Sequence, residues 1–254
     1  MTKLKVLDLF SGIGGFSMGL ENSGGFVTRA FCEIDPFCRN VLAKHWPEVK
    51  QYHDICSLSV DRLEADGVGD IDAICGGFPC QDVSLAGNGA GLDGARSGLW
   101  SEYARLIGDF ADRGRPVKYV LVENVAALLG RGLDRVLRDL AAVGYDAEWH
   151  CIPASYAGLR HLRDRVWIVA YPKRYSVQGR ANVTEAWRQK SRAEQLAGLV
   201  QPGSWPTVSG ARDRGTGHGV PDGTHRNKAI GNAVVPQIPE LIGRAILESE
   251  RMAA

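Results

Sequence analysis

The stretch KLKVLDLFSGIGGF, residues 3–16, decides the fold class of this 254-residue chain. Residues 5–10 form a short apolar run that is typical of a buried strand, and a glycine-rich turn follows at once. A turn of this kind between a first strand and a first helix lets a cofactor approach the backbone closely. A Gly-x-Gly-Gly turn is weak evidence by itself, because a tight loop that binds nothing is an equally good interpretation.

Further short apolar runs alternate with helical patterns along the chain. We predict strands at residues 5–10, 27–33, 71–75, 119–123, 147–152 and 166–170, and helices at residues 37–45, 58–65, 99–110 and 133–143. A closing helix from Pro236 carries one apolar face, formed by Ile238, Leu241, Ile242, Ala245 and Ile246. The alternation predicts an α/β fold, a doubly wound, Rossmann-like, mostly parallel sheet with helices on both faces. Such a sheet binds ligands beyond the carboxyl ends of its strands.

The composition indicates an ordinary globular protein, with 44% hydrophobic and 23% charged residues. No run of about 18 apolar residues is present, and the N-terminus lacks the apolar stretch of a signal peptide. We therefore expect a cytoplasmic protein, in a bacterial cell or in the host cytoplasm if a phage encodes it, and no membrane partner. The six cysteines form no Cys-x-x-Cys pair and have no paired histidines nearby, so we expect reduced thiols and no metal site.

Charge is distributed unevenly along the chain. Residues 172–228 contain ten Lys/Arg and four Asp/Glu, a balance of +6, whereas the remainder carries 20 basic and 25 acidic residues, a balance of −5. The same segment is rich in glycine and proline, has one helical pattern at 183–199, and cannot bury much apolar surface alone. A basic segment on a slightly acidic body suggests a polyanionic partner, although a solvated insertion explains the charge equally well.

Acidic residues follow the glycine turn at positions that suit a nucleotide-like cofactor. Glu33 stands at the end of the second predicted strand, where an acidic residue would accept hydrogen bonds from ribose hydroxyls. An ordinary surface glutamate is the alternative. Asp54 and Ile55 would then bind an adenine amino group and cover the ring, a suggestion that rests on spacing alone.

A sharper feature is GGFPCQDVS, residues 76–84, which follows the third predicted strand. A cysteine after a proline in a glycine-rich loop is exposed at the functional edge of the sheet, where its thiolate could attack a substrate. A free thiol has a pKa of about 8.5, so Cys80 needs a cationic neighbour to become a good nucleophile at neutral pH. A buried structural cysteine is the usual alternative, but the loop context argues against burial.

The next predicted strand delivers Glu123, within the motif ENV, to the same edge. A carboxyl group at the mouth of an apolar strand is partly desolvated, so we expect the pKa of Glu123 to rise and the side chain to act as a proton donor. The alternative is a glutamate that stabilises a helix N-terminus.

Arg163 and Arg165 precede the last predicted strand, and alternate residues of an extended segment point the same way. They would supply a positive field or hold phosphate, and a surface salt bridge is the alternative.

Five motifs resemble those of the cytosine-5 DNA methyltransferases, in the order of that family. They are DLFSGIGGF, GGFPCQ, ENV, the Arg-x-Arg before VWIV, and IGNAVVP. The resemblance covers about residues 4–171 and 226–250, and the distance from PCQ to ENV is specific. It implies a catalytic domain that binds S-adenosylmethionine at residues 1–171 and 229–254, and a small basic target-recognition insertion at residues 172–228.

The resemblance also implies roles for residues at matching positions. Cys80 would add to carbon 6 of cytosine and Glu123 would hold or protonate ring N3. Carbon 5 would take the methyl group of S-adenosylmethionine, with S-adenosylhomocysteine as the product. Arg163 and Arg165 would stabilise the thiolate, the activated base or its phosphate. The cofactor shell would comprise Phe10, Gly12, Gly14, Glu33, Asp54, Ile55, Leu99, Asn232 and Ala233.

Binding to double-stranded DNA, by a monomer, follows from the same resemblance. The target cytosine lies inside the duplex and must be flipped out, and Gln81, Ser84 and the glycine-rich stretch 87–98 resemble the loop that closes over it. His161 stands where the family commonly has glutamine, which puts that glutamine's contact in doubt. The insertion would contact bases or phosphates with Arg174, Arg180, Arg188, Arg192, Arg212 and Arg214.

Two other functions stay open at this point. A tRNA cytosine-5 methyltransferase of the same fold would share the chemistry, and the basic segment would serve either nucleic acid. The continuation CQDVS and the motif IGNAVVP resemble the DNA enzymes more closely. A catalytically inactive DNA-binding regulator would not need Cys80, Glu123 and both arginines. A nicotinamide dehydrogenase would not explain the nucleophile loop. We therefore predict a DNA methyltransferase of the restriction–modification kind.

Overall fold

Seven strands in the described part of the chain form one sheet. The computed structural model of the protein describes residues 2–79, 98–154, 164–176 and 233–252. The strands are β1 Leu4–Leu9, β2 Phe26–Cys32, β3 Lys50–Tyr52, β4 Ala73–Gly76, β5 Tyr119–Val125, β6 Tyr145–Pro153 and β7 Asp164–Pro172. The helices are α1 Gly15–Asn22, α2 Pro36–His45, α3 Val60–Ala65, α4 Leu99–Asp112, α5 Leu128–Arg131, α6 Leu133–Ala142, α7 Lys173–Ser176 and α8 Gln237–Met252, with a 3₁₀ turn at Ile55–Ser57. None of these described helices is long and apolar enough to cross a membrane.

The strands follow the order β3-β2-β1-β4-β5-β7-β6. Neighbours from β3 to β5 are parallel, whereas β7 runs antiparallel to both β5 and β6. The predicted mostly parallel sheet is therefore confirmed. The chain winds outward in opposite directions on either side of β1, so β1 and β4 form a switch point. The crevice beyond their carboxyl ends is where sheets of this type bind ligands.

Helices cover both faces of the sheet, as predicted. On one face, α3, α4 and α6 pack large buried side chains against the strands, among them Leu63, Trp100, Tyr103, Phe110 and Leu140. On the other face, α1 and α8 contribute Phe16, Leu20, Ile238, Ile242 and Ile246. Parallel strands that are buried on both faces become nearly continuous apolar runs. That property is the signal from which these strands could be predicted.

The closing helix α8 packs closely against α1 and the loop after it. The five residues predicted to share its apolar face are all buried. A Cβ at Gly19 would collide with the carbonyl oxygen of Pro236, and a Cβ at Gly25 would collide with Leu247. Packing against the backbone therefore requires glycine at position 19, whereas a side chain at position 25 would need Leu247 to move. The helix begins at Gln237, one residue after the predicted start.

The short elements β3, α5, α7 and the 3₁₀ turn were not predicted, and the strands β5, β6 and β7 are longer than predicted. In β3 only Tyr52 is buried, so no periodicity marks this three-residue strand, and α5 is a single four-residue turn. The strand β5 continues two residues past Glu123, because Asn124 and Val125 also pair with β7. Glu123 thus lies within a strand rather than at its mouth, and no helix begins there. The other predicted elements with described ends are present, with those ends shifted by one or two residues at most.

Candidate active site

The glycine turn after β1 has a strained backbone. Phe10 has a φ of 53°, Gly12 of 54° and Gly14 of 86°. Left-handed values cost a residue with a Cβ, such as Phe10, about 1–2 kcal/mol, whereas glycine adopts them without a clash. Strain of this kind is concentrated at functional sites. Here it allows the chain to reverse from strand to helix within residues 10–14.

The glycines of this turn have different surroundings. A Cβ at Gly12 would meet no atom of the described residues within 4 Å, so the backbone there borders open space in this part of the structure. A Cβ at Gly14 would approach the ring of Trp46 to 2.6 Å, and a Cβ at Gly15 would collide with the carbonyl of Val234. Packing requires Gly14 and Gly15, whereas Gly12 leaves room for a ligand. Val234 belongs to the closing motif IGNAVVP. Its contact with Gly15 therefore also brings Ala233, a predicted cofactor residue, to this turn.

Glu33 connects the glycine turn to the end of β2. Its Oε2 accepts a hydrogen bond from the backbone N–H of Gly12 at 2.7 Å, and its Oε1 accepts one from the N–H of Asp35 at 2.8 Å. The residue is only 9% exposed. A carboxylate can accept about four hydrogen bonds, so acceptor positions remain for hydroxyl groups of a ligand.

Three more predicted cofactor residues occupy the adjoining part of the same edge. Asp54 follows β3, is exposed, and accepts the N–H of Cys56 at 2.9 Å, which caps the 3₁₀ turn. Ile55 is 3% exposed and belongs to the core, so little of its side chain is available to cover a ring. Leu99, at the start of α4, is partly buried against the same core.

The segment that precedes the predicted nucleophile runs directly against β5. Gly77 lies so close to Glu123 that a Cβ on it would be 2.8 Å from Oε2. The side chain of Asn124, which is buried, donates from Nδ2 to the carbonyl of Phe78 at 3.1 Å. These contacts hold the backbone on the approach to Pro79, the last described residue before Cys80.

Glu123 is paired with an arginine from β7. The Nε of Arg165 lies 2.9 Å from Oε1 of Glu123, and both side chains are largely withdrawn from solvent. The antiparallel register explains the pair, because Val125 lies opposite Arg165 and Glu123 lies opposite Trp167. Residues two apart in a strand share a face, so Glu123 and Arg165 point to the same side of the sheet.

Known proteins resemble this chain in sequence and in fold. Residues 4–204 match the family model of the C-5 cytosine-specific DNA methylases. The chain belongs to this family. It is 38% identical over 171 residues to the Type II methyltransferase M2.BsuMI of Bacillus subtilis (strain 168). This alignment covers 66% of this chain and 42% of that protein. The chain is 31% identical over 182 residues to the Type II methyltransferase M.HgiCII of Herpetosiphon aurantiacus, which covers 70% and 39% respectively. The chain thus spans about two fifths of the length of these curated relatives.

Solved structures share the fold of this methylase chain. A DNA modification methyltransferase encoded within a prophage (E. coli) aligns with a TM-score of 0.57 at 24% identity, over 68% of this chain and 48% of its own. DNMT2 of Spodoptera frugiperda aligns with a TM-score of 0.55 at 22% identity, over 67% and 50% respectively. At these identities the likeness concerns the fold alone.

Many of the predicted site residues lie outside the described residues. They are Cys80, Gln81, Ser84, Arg163, Asn232, Arg180, Arg188, Arg192, Arg212 and Arg214, together with His161 and the helical pattern at 183–199. Among the predicted DNA-contacting arginines, Arg174 is described. It is exposed on α7, which directly follows β7. Ala233 opens the last described range and is half-buried. Within the described ranges no three potential metal ligands lie together.

Three residues of the candidate site were not singled out from the sequence. Ile34 is 72% exposed directly after Glu33, where it offers an apolar surface. Asn124 holds the carbonyl of Phe78. Asp8 is completely buried, and this burial raises the pKa of its carboxyl group to about 7. An aspartate inside an apolar strand was an available signal for Asp8, because aspartates are almost never fully buried unless they have partners.

Proposed function

We propose that the protein is a DNA (cytosine-5-)-methyltransferase that moves a methyl group from S-adenosylmethionine to carbon 5 of a flipped-out cytosine through a covalent adduct with Cys80. The observation that carries this proposal is the meeting of three features at one edge of the sheet. They are residues 77–79, directly before Cys80, the Glu123–Arg165 pair, and the glycine turn held by Glu33. Membership of the methylase family supports the same reaction.

The residues around the glycine turn fit S-adenosylmethionine. The open space in front of Gly12 gives a ligand access to the backbone, and Glu33 keeps acceptor positions for ribose hydroxyls. The exposed side chain of Ile34 suits the face of an adenine ring, and the exposed carboxylate of Asp54 suits its amino group. Bound there, the cofactor supplies a methyl group made electrophilic by its sulfonium to carbon 5 of the base.

Cys80 and Glu123 perform the chemistry on the base in this proposal. The thiolate of Cys80 adds to carbon 6, so a C–S bond forms and electron density moves onto carbon 5 and ring N3. Glu123 hydrogen-bonds to N3 and delivers a proton as negative charge develops there. After methylation, loss of the carbon-5 proton to a base restores the ring double bond and expels the thiolate. N3 then returns its proton to Glu123.

Arg165 and Asn124 position these groups. The guanidinium of Arg165 orients the carboxylate of Glu123, and their interaction is weakly screened because both side chains are largely buried. Arg163 would add positive charge that favours the thiolate or holds the phosphate of the flipped nucleotide. Asn124 fixes the backbone two residues before Cys80. Holding a nucleophile in place before reaction lowers the barrier that reorganisation would otherwise add.

Double-stranded DNA is the proposed substrate. The reactive atoms of a paired cytosine lie within the stack, so the base must leave the helix to reach Cys80. Residues 172–228, with their balance of +6, would contact phosphates and read bases, because the rest of the chain carries −5. The curated relatives named above are Type II methyltransferases, which supports a restriction–modification context for this protein.

Methyl transfer from radiolabelled S-adenosylmethionine tests the proposal. Purified protein is incubated with double-stranded DNA or with tRNA, and DNA from cells that express the protein is sequenced after bisulfite treatment. Methylation of cytosine carbon 5 within a defined DNA sequence supports the proposal. Transfer to tRNA alone would assign the protein to RNA enzymes of the same fold. Cofactor binding without transfer to either substrate would indicate a DNA-binding regulator.

A further inference from the structure

A buried carboxylate lies beneath the glycine turn and takes no part in the chemistry described above. Asp8, in β1, is 1% exposed. Its Oδ2 accepts hydrogen bonds from the hydroxyl of Ser17 at 2.7 Å and from the backbone N–H of Ser17 at 3.3 Å. Asp8 precedes the turn and Ser17 follows it, in the first turn of α1. These two bonds therefore tie the strand before the turn to the helix after it.

Helix α1 depends on this aspartate because it lacks a cap of its own. Gly14, at the N-cap position, has no side chain that could accept a hydrogen bond. The first N–H groups of any helix have no acceptor within the helix, so an outside acceptor is needed. Asp8 provides one for the N–H of Ser17 from the neighbouring strand. A negative charge at this end of a helix also interacts favourably with the helix dipole.

The backbone of Asp8 also holds the turn. The hydroxyl of Ser11 donates to the carbonyl of Asp8 at 2.6 Å, and the N–H of Gly14 donates to the carbonyl of Ser11 at 2.9 Å. Gly12, between them, donates to Glu33. The side chain and the backbone of Asp8 thus both hold the segment that presents Gly12 to the open space in front of it.

We propose that Asp8 is a positioning residue for cofactor binding, whose ionised carboxylate holds α1 and the glycine turn in the conformation that binds S-adenosylmethionine. We take this turn as the cofactor site, so the inference rests on the proposed function. Hydrogen bonds to an ionised group are roughly twice as strong as bonds between neutral groups. Removing the charge on Asp8 should therefore weaken the hold on Ser17 and loosen the turn, while the fold persists.

The surroundings of Asp8 make its charge depend on pH near neutrality. Burial raises the pKa of Asp8 to about 7; the hydrogen bonds it accepts, including one from Cys75, lower that pKa, and the nearby charge of Glu33 raises it. Burial also raises the pKa of Cys75 and of Tyr103 well above their usual values, and that of Cys32 to about 12. The two thiols and the phenol therefore stay neutral. No nitrogen or oxygen donor of the described residues reaches Oδ1 of Asp8.

The effects of pH on stability and on binding have opposite signs. The pKa of Asp8 is higher in the folded protein than in an unfolded chain, so the folded protein binds this proton more tightly. The group's contribution to stability is fully present below about pH 4 and is lost as the pH rises through about 7. Cofactor binding should instead strengthen over the upper part of that range, as the carboxylate ionises. A variant without the charge should keep its thermal stability at about pH 8 and lose cofactor affinity.

Calorimetric titration of the full chain with S-adenosylhomocysteine, between about pH 6 and about pH 8, tests the inference without DNA. The variants are Asp8→Asn, which removes the charge, and Ser17→Ala, which removes the hydroxyl donor. Ser23→Ala is the matched control, because the hydroxyl of Ser23 bonds to the carbonyl of Leu20 at the other end of α1. Thermal unfolding is measured on each protein alongside the titrations.

We expect the wild-type Kd to weaken about fivefold from about pH 8 to about pH 6, with a midpoint near the pKa of Asp8. Asp8→Asn should show the weaker Kd throughout, with an unfolding temperature at about pH 8 that is no lower than the wild type's. Ser17→Ala should bind about fivefold more weakly at about pH 8, and Ser23→Ala should match the wild type.

If Asp8→Asn and Ser17→Ala both bound S-adenosylhomocysteine with the Kd and the pH dependence of the wild type, the inference would be overturned. Equal losses in Ser17→Ala and Ser23→Ala would also overturn it, because they would reflect a general weakening of α1. A wild-type protein that binds neither S-adenosylmethionine nor S-adenosylhomocysteine would contradict the proposed function instead. The two failures are therefore distinguishable.

Discussion

Two glutamates at the same edge of the sheet, Glu33 and Glu123, are almost equally buried but have different kinds of partner. They are 9% and 8% exposed. Glu33 accepts hydrogen bonds from the backbone N–H groups of Gly12 and Asp35. Glu123 is paired with the guanidinium of Arg165. Residue type and burial are the same in the two places, so the partners must determine what each carboxylate can do.

The difference suits the two halves of the edge to different tasks. A carboxylate held by neutral backbone donors keeps acceptor positions for hydroxyl groups, and binding them requires no proton transfer. A carboxylate oriented by a cation can exchange a proton with a ring nitrogen while the cation stabilises nearby negative charge. We call the first the cofactor half, at β1 and β2, and the second the base half, at β5 and β7. Substitutions in the two halves should change different kinetic parameters.

The largest effect is expected for the nucleophile of the base half. Cys80→Ser should lower methyl transfer by about a thousandfold or more, because a serine hydroxyl lacks the reactivity of a thiolate. Binding of S-adenosylhomocysteine should be unchanged. DNA that carries 5-fluorocytosine at the target should form a covalent complex with the wild type and none with Cys80→Ser, since fluorine at carbon 5 blocks elimination. A denaturing gel measures the complex. Near-normal methyl transfer by Cys80→Ser would contradict the covalent mechanism.

The next effect tests the base half without removing the nucleophile. Glu123→Gln should slow turnover by about a hundredfold or more, since general acid assistance commonly contributes that much. Cofactor affinity should be nearly kept. Single-turnover methylation and calorimetry measure the two quantities separately. If the variant lost cofactor binding and kept its turnover, Glu123 would belong to the cofactor half.

The matched substitution in the cofactor half should give the reverse result. In Glu33→Gln an amide NH₂ group replaces one of the two carboxylate oxygens. One of the two backbone N–H groups, of Gly12 or of Asp35, then faces a donor and loses its acceptor. We expect about thirtyfold weaker binding of S-adenosylhomocysteine, because hydrogen bonds to a charged group contribute about 1.5–3 kcal/mol. Turnover at saturating cofactor should be nearly unchanged. Equal losses of turnover in Glu33→Gln and Glu123→Gln would erase the distinction between the halves.

The elements of this comparison differ in how far the sequence predicts them. The strand positions could be predicted, because buried parallel strands are apolar runs, and the motif order suggested which strand ends carry chemistry. The partner of Glu123 could not be read from its own segment, since it depends on the register between β5 and β7. Likewise, Asn124 reaches the carbonyl of Phe78 across 46 residues, and Asp8 reaches Ser17 across a turn whose shape local patterns do not specify. Long-range packing determines such contacts.

The smallest effects are expected outside both halves, in the basic segment at residues 172–228. Arginine pairs bidentately with guanine, at roughly 1–3 kcal/mol of discrimination per good contact, whereas a phosphate contact adds affinity without sequence information. Single Arg→Ala changes should therefore fall into two groups. Some should relax the methylated sequence with little change in salt dependence. Others should weaken binding to all DNA about fivefold and flatten the salt slope by close to one unit.

Arg174 is the residue with which to begin, because it is exposed on α7 directly after β7, the strand that carries Arg165. We expect Arg174→Ala to be one of the variants that lose a phosphate contact, so it should weaken binding to all DNA and flatten the salt slope. DNA binding is measured by fluorescence anisotropy at several salt concentrations. Arg138→Ala is the matched control, since Arg138 is an exposed arginine on α6, outside the basic segment. Neither change should alter S-adenosylhomocysteine binding without DNA. If alanine substitution throughout residues 172–228 left both sequence choice and DNA affinity intact, the segment would be a solvated insertion. A body of net charge −5 would then need another local basic surface to overcome its repulsion from DNA, and that surface would have to lie among the 20 basic residues outside the segment.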